Sequence, residues 1–217
     1  MGIGIRKKHY ITYSPKPSAA GHGRLIGIAG AGRGTGTTHL CVLTANYLTS
    51  CLQQKTALIQ WNPHGDFERI GQALKGLRPK ADEQSGTAKE RFRLMETDYY
   101  LRGEPALLAR CMDGTYDDII IDFGELREDI RSEWLRCGTK IIAAALNDWK
   151  LETFLEFLAG EAKLDNRWIY TAAFGSEHTR LEIERRFHIS LLRIPFSEDA
   201  FSVDRQAMAW FEDILKF

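Results

Sequence analysis

The sequence predicts an α/β fold, a mostly parallel sheet with helices on both faces. Two observations carry the prediction. Short apolar runs of strand length alternate with segments whose apolar residues recur at helical spacing, from Leu25 almost to the end of the chain. Parallel neighbours need such crossover connections, so strands separated by helices imply a parallel sheet. The length, 217 residues of which 44% are hydrophobic, is enough to bury one substantial core, and a single domain is expected.

Residues 1 to about 23 hold Arg6-Lys7-Lys8-His9, Ser14-Pro15-Lys16-Pro17-Ser18 and Gly21-His22-Gly23, a basic, turn-rich composition that suggests a flexible leader ahead of a domain over 24–217. Leu25 to Ala29 reads as the first strand, and Leu40 to Leu48 has the apolar spacing of a helix. A strand at Ala57 to Trp61 and a helix at Phe67 to Leu74 follow. The polar stretch Leu77 to Lys89, with Pro79 and Gly86, is expected to be a mobile loop. Next come strand Phe92 to Met95, helix Pro105 to Met112, strand Ile119 to Phe123, helix Ile130 to Arg136 and strand Lys140 to Leu146. Helices near Leu151 to Leu164, Thr179 to Phe187 and Val203 to Leu215 alternate with strands at Trp168 to Ala172 and Leu191 to Ile194. In such a sheet, ligands belong at the carboxyl ends of the strands.

Lys+Arg and Asp+Glu both total 29, so no global field recruits nucleic acid or anionic lipid, and nucleic acid is not an expected partner. Four cysteines lie scattered without a C-x-x-C pair, which favours reduced thiols and a cytoplasmic location. Arg6 breaks the myristoylation pattern, and Ile141 to Leu146 is too short to span a bilayer, so no integral membrane insertion is expected.

The loop Gly30-Ala31-Gly32-Arg33-Gly34-Thr35-Gly36-Thr37-Thr38 between the first strand and the first helix has the grammar of a phosphate-binding loop. Its glycines let successive amides turn inward as an anion nest at a helix start. Thr38 stands where a P-loop hydroxyl would hold Mg²⁺. Thr37 occupies the lysine position of G-x-x-x-x-G-K-[ST], and Ala31 replaces the first glycine of that pattern. A threonine cannot neutralise phosphate charge, so nucleotide affinity and turnover should both fall. A glycine-rich turn that binds nothing is the bland alternative.

With these motifs in view, the chain from Leu25 onward resembles the MinD/ParA-type (SIMIBI) P-loop ATPases, and within them the degenerate pilus-assembly branch called TadZ or CpaE. The resemblance implies a P-loop NTPase-like three-layer sandwich, ATP or ADP with Mg²⁺ as cofactor, and a homodimer formed through the face that carries the loop. The family loop K-G-G-x-G-K-[ST] places Gly32 at the signature lysine, Arg33 and Gly34 at the paired glycines and Thr37 at the second lysine. The family's D-x-D-P-x-G falls on Gln60-Trp61-Asn62-Pro63-His64-Gly65, with both aspartates turned into amides. The apolar strand ending in aspartate matches Ile119-Ile120-Ile121-Asp122, and Asp122 keeps its carboxylate to hold Mg²⁺ through water. Arg193-Ile194-Pro195-Phe196 resembles the closing I-P-[YF] segment, whereas Thr171-Ala172-Ala173-Phe174 lacks the asparagine often offered to adenine.

The expected nucleotide contacts are therefore Gly32, Arg33, Gly34, Thr35, Gly36, Thr37, Thr38 and His39, with Thr38 and Asp122 toward Mg²⁺. No catalytic residue is assigned, because Thr37, Gln60 and Asn62 supply no charge where hydrolysis needs it. Three functions stay open. The leading one is a nucleotide-binding pseudo-ATPase or very slow ATPase that serves as a positioning or scaffold module in pilus or secretion assembly, with an unidentified protein partner. The others are a working ATPase in which Arg33 replaces the lysine, and an interaction domain without nucleotide.

Three further features read as structural. Cys111 and Cys137 are packing residues. Val203, Ala207, Trp210, Phe211 and Ile214 share one face of the last helix, which favours core packing and leaves peripheral membrane association as the alternative. The basic residues Lys75, Arg78, Lys80, Lys89, Arg91 and Arg93 are diluted by acidic neighbours and read as a solvated surface.

Overall fold

The computed structural model describes residues 23–77, 90–161 and 164–215. The expected leader over residues 1 to about 23, apart from Gly23, and the expected loop over Leu77 to Lys89, apart from Leu77, which ends a helix, lie outside the described residues. The strands are β1 (Arg24–Gly30), β2 (Thr56–Gln60), β3 (Arg91–Leu94), β4 (Thr97–Tyr100), β5 (Asp118–Glu125), β6 (Thr139–Ala145), β7 (Ile169–Ala173) and β8 (Leu191–Arg193). They form one sheet in the order β3-β4-β2-β5-β1-β6-β7-β8, parallel throughout except for the β3/β4 hairpin. The helices are α1 (Thr37–Asn46), α2 (Asp66–Leu77), α3 (Pro105–Cys111), α4 (Arg131–Arg136), α5 (Asp148–Gly160), α6 (Glu177–Phe187) and α7 (Arg205–Ile214). A π-turn, Tyr47–Cys51, prolongs α1.

The strand period of two sorts β1 between two cores. Leu25 and Ala29 join a cluster under α3, α4, α5 and α6, while Ile26 and Ile28 join one under α1, α2 and α7. Both faces of the sheet are thus covered, and the central strands read as continuous apolar runs for that reason. The apolar face of α7 is spent in the second cluster, where Phe211 is fully buried and stacks on Tyr47 at 4.8 Å. Among the described residues, no helix is long and apolar enough to cross a membrane.

The expected strand at Phe92 is present, but it is antiparallel, and its partner β4 was not expected. The turn between them is Met95-Glu96, both in the left-handed region at φ 46° and 67°. Hairpin turns of that shape normally announce themselves by glycine or asparagine, so this one leaves no sequence signal. Helix α5 begins at Asp148, ahead of the expected Leu151, and this shift matters for the site.

The amino end of the sheet is fastened by one ion pair. Arg24 opens β1 in register with Asp118, which opens β5, and its guanidinium donates bidentately to that carboxylate at 2.7 and 2.8 Å. Asp118 is fully buried, and burial pushes its carboxyl up while Arg24 pulls it back down. Removing the cation strands a buried charge, the costly way to break such a pair. Arg24→Met is expected to lower stability by about 2 kcal/mol in chemical denaturation, less than a fully buried pair because Arg24 is partly exposed.

Candidate functional site

The chain leaves the centre of the sheet at Gly30, where β1 lies between β5 and β6. Both neighbours hold the exit: Ala31 N–H donates to the Ala143 carbonyl, and Leu126 N–H donates to the Gly30 carbonyl, each at 3.0 Å. The loop then turns into α1 at Gly36, whose φ of 84° is the left-handed conformation that glycine adopts without strain. Inside the loop, the Thr35 hydroxyl donates to the Gly32 carbonyl at 3.1 Å and lies 3.2 Å from the Thr37 hydroxyl. Both threonines are buried. The residue at the lysine position is therefore turned into the loop as a brace.

One residue further, the Thr38 hydroxyl donates to Asp122 Oδ2 at 2.7 Å, while Gly124 N–H donates to Oδ1 at 2.9 Å. Asp122 is fully buried near the end of β5, and burial pushes its carboxyl up to about 6 against the pull of these two donors. A carboxylate this costly to ionise is relieved by a cation, and a hydroxyl plus a carboxylate are the hard oxygen ligands Mg²⁺ prefers. Among the described residues no three His, Cys, Asp or Glu side chains gather as a metal cage, so Mg²⁺ here would take its other ligands from water and phosphate.

Gln60 and Asn62 form a closed network at the end of β2. Gln60 Nε2 donates to Asn62 Oδ1 at 3.1 Å, and Gln60 Oε1 accepts from Phe67 N–H at 2.9 Å. Asn62 Nδ2 donates to the Asp122 carbonyl at 3.2 Å, and Asn62 Oδ1 accepts from His64 N–H at 3.0 Å. Both amides are buried. They tie β2, β5 and the start of α2 together using donors that aspartates do not have.

These elements enclose a cleft of about 590 Å³. Gly32, Arg33, Gly34, Gly36, Thr37 and Thr38 form one wall, and His64, Arg69 and Glu125 form part of the other. Of the residues proposed from sequence, Gly32, Arg33, Gly34, Gly36, Thr37, Thr38 and His39 line this cleft, whereas Thr35, Gln60, Asn62 and Asp122 are buried behind it. Arg33 is exposed, and among the described residues its guanidinium makes no ion pair. His39 lines the cleft, approaches the Ser197 hydroxyl at 3.2 Å, and is held below its ordinary range by burial. The features read as structural behave as such. Cys111 and Cys137 are buried, Arg91 reaches the Tyr100 hydroxyl at 3.5 Å, and Arg93 pairs with Glu96 at 2.6 Å. The side chains of Lys75, Arg78, Lys80 and Lys89 lie outside the described residues.

Sequence reasoning missed Lys150 and Thr153. Lys150 Nζ donates to the Arg33 carbonyl at 2.5 Å, and Thr153 packs against Gly32. Their signal is positional: they sit in the first turns of α5, at the carboxyl end of the strand beside β1, a neighbourhood that strand order alone reveals.

No protein-family model matches the chain, and no curated protein does. Solved structures do. A putative plasmid partition protein from Borrelia burgdorferi, bound to AMPPNP, superposes with a TM-score of 0.58 at 16% identity over 89% of this chain and 97% of its own. A ParA family ATPase from Chlorobium tepidum gives 0.57 at 20% identity, covering 89% and 92%. The MinC:MinD cell division complex of Aquifex aeolicus gives 0.56 at 13% identity, covering 89% and 94%. The fold is an α/β P-loop NTPase-like sandwich. Within that class it is the fold of the ParA and MinD ATPases.

Two outcomes follow from the site's electrostatics. A carboxyl raised from 3.8 to about 6 on folding holds its proton longer in the native state, so its contribution to stability is lost as pH rises through that window. Asp122→Asn, with chelator present, is expected to be more stable than wild type at pH 7 by at most about 3 kcal/mol, the gap closing near pH 4 in thermal melts. Asn62→Asp removes the donor to the Asp122 carbonyl and adds a buried charge beside Asp122. It is expected to cost about 1–3 kcal/mol in urea unfolding at pH 7.

Proposed function

We propose that this chain is a MinD/ParA-like P-loop protein that binds ATP or ADP in the cleft beneath Gly32–Thr38 and hydrolyses it very slowly or not at all. The observation that supports the reading is the Thr38–Asp122 hydrogen bond, a hydroxyl and a carboxylate of the kind that hold Mg²⁺, beside two positions, Gln60 and Asn62, whose amides are built into the scaffold. The cleft volume suits a ligand of nucleotide size. Loop amides and a helix start attract phosphate, and Thr38 with Asp122 would hold Mg²⁺, which neutralises phosphate charge when bound. Hydrolysis lacks support because no side chain at 37, 60 or 62 supplies charge, and such electrostatic contributions are worth orders of magnitude each.

A nucleotide-binding module with little turnover acts through its conformation and contacts. The assignment is therefore a positioning or scaffold protein, working in the cytoplasm as a single domain over 24–217 and as a homodimer with a further protein partner. The resemblance to the TadZ and CpaE branch extends this to pilus or secretion assembly. Arg33, exposed on the cleft wall, favours one second reading, a working ATPase with arginine in place of lysine.

Calorimetric titration with ATP and ADP, with and without Mg²⁺, tests the main reading. Binding is expected, with the Mg²⁺-dependent gain reduced at least tenfold in Thr38→Ala and turnover at background. No binding at millimolar nucleotide overturns it. Steady Mg²⁺-dependent turnover that Arg33→Ala abolishes overturns it in favour of the working ATPase.

A further inference from the structure

The loop carries no lysine, yet it does hold an ammonium. Helix α5 starts directly after β6, the strand beside β1, and lays its first turns across the loop. Two residues on one face of that helix, i and i+3, make the contact. Thr153 fills the space over Gly32: a Cβ built there would meet Thr153 Cγ2 at 2.4 Å, closer than real Cβ atoms approach. Any side chain at 32, the position that the family resemblance gives to the signature lysine, would require Thr153 to shift. Lys150, one turn earlier, crosses Gly34 with its Nζ 3.5 Å from where a Cβ would stand, and donates to the Arg33 carbonyl.

We propose that Lys150 is the phosphate-binding cation of this site, delivered from α5 onto the loop in place of the lysines that Gly32 and Thr37 do not supply. The inference rests on the nucleotide reading above and names the residue that makes it work. An ammonium has three donors in no fixed plane; one goes to the Arg33 carbonyl, and two remain for phosphate oxygens. Arg33 and Gly34 both line the cleft, so Lys150, which does not line it itself, holds two stretches of its wall from behind and needs only a rotation of its side chain to present the ammonium there. Lys150 is half-buried and tethered before any ligand arrives, whereas the Arg33 guanidinium is exposed with no ion pair among the described residues. A pre-positioned cation loses less side-chain freedom on binding, which favours Lys150 over Arg33 as the phosphate contact. The position also fits the fold. A cation from α5 approaches the loop from the β6 side and leaves the Thr38–Asp122 pair undisturbed on the β5 side.

The test measures affinity for ATP, inorganic tripolyphosphate and adenosine in wild type, Lys150→Met, Lys150→Gln and Lys150→Arg, with unliganded melting temperatures alongside. The expected result is a loss of tenfold or more for ATP and tripolyphosphate in both Lys150→Met and Lys150→Gln. Lys150→Arg should recover most of it, adenosine binding should not change, and unliganded melting should stay near wild type. Lys150→Gln is the discriminating variant, because it keeps a donor for the Arg33 carbonyl and loses only the charge. If it binds as wild type does, Lys150 is a brace for the loop and the proposal is overturned. If wild type binds ATP and Lys150→Met binds it equally well, the proposal fails while the nucleotide reading stands. If wild type binds neither ATP nor tripolyphosphate, both fail together.

Discussion

The buried carboxylate of Asp122 is the constraint around which the carboxyl edge of the sheet is organised. Its oxygens take the Thr38 hydroxyl from α1 and the Gly124 amide from its own strand end. Its backbone carbonyl takes Trp61 N–H at 2.8 Å and Asn62 Nδ2 at 3.2 Å from the end of β2. One residue thus joins two strands and the helix that follows the loop. A charge held in that position is expensive, and burial pushes its carboxyl up to about 6. Asp66, in the first turn of α2, adds to that cost, whereas the amides at the end of β2 do not.

The amides at Gln60 and Asn62 take on a second meaning in that setting. Aspartates at both positions would put further negative charge close to Asp122, in a loop that has no lysine of its own. Like charges at that range disfavour each other's ionisation. The chain lacks the loop lysines and the β2 anions together, and the space at the end of β2 is filled by a neutral network in which each amide both donates and accepts. Stability and catalysis pull apart here. The neutral network suits a scaffold, while hydrolysis would want charge concentrated at the phosphate.

The helix on the other side of the loop shows a similar exchange. Close packing of Thr153 on Gly32 brings α5 down onto the phosphate loop, and the same approach carries Lys150 to the Arg33 carbonyl. The phosphate contact proposed for Lys150 would thus come from a neighbouring helix and not from the loop itself.

The sequence by itself determined the mostly parallel architecture, the helices on both faces and the strand, glycine-rich loop and helix order around residues 30–38. These follow from local periodicity and glycine spacing, which act within a few residues. Thr38 and Asp122 were also legible, since each ends a recognisable local pattern. The β3/β4 hairpin was not, because Met95 and Glu96 adopt left-handed backbone without the residues that usually mark it. Nor were the roles of Gln60, Asn62, Thr153 and Lys150. An amide reads as a lost charge until its partners are known, and a lysine one turn into a helix reads as solvated surface. Only the strand order, which sets β6 beside β1 and β5 beside both β1 and β2, decided which distant side chains meet at the loop, because hydrogen bonds and close packing depend on proximity that sequence separation does not encode.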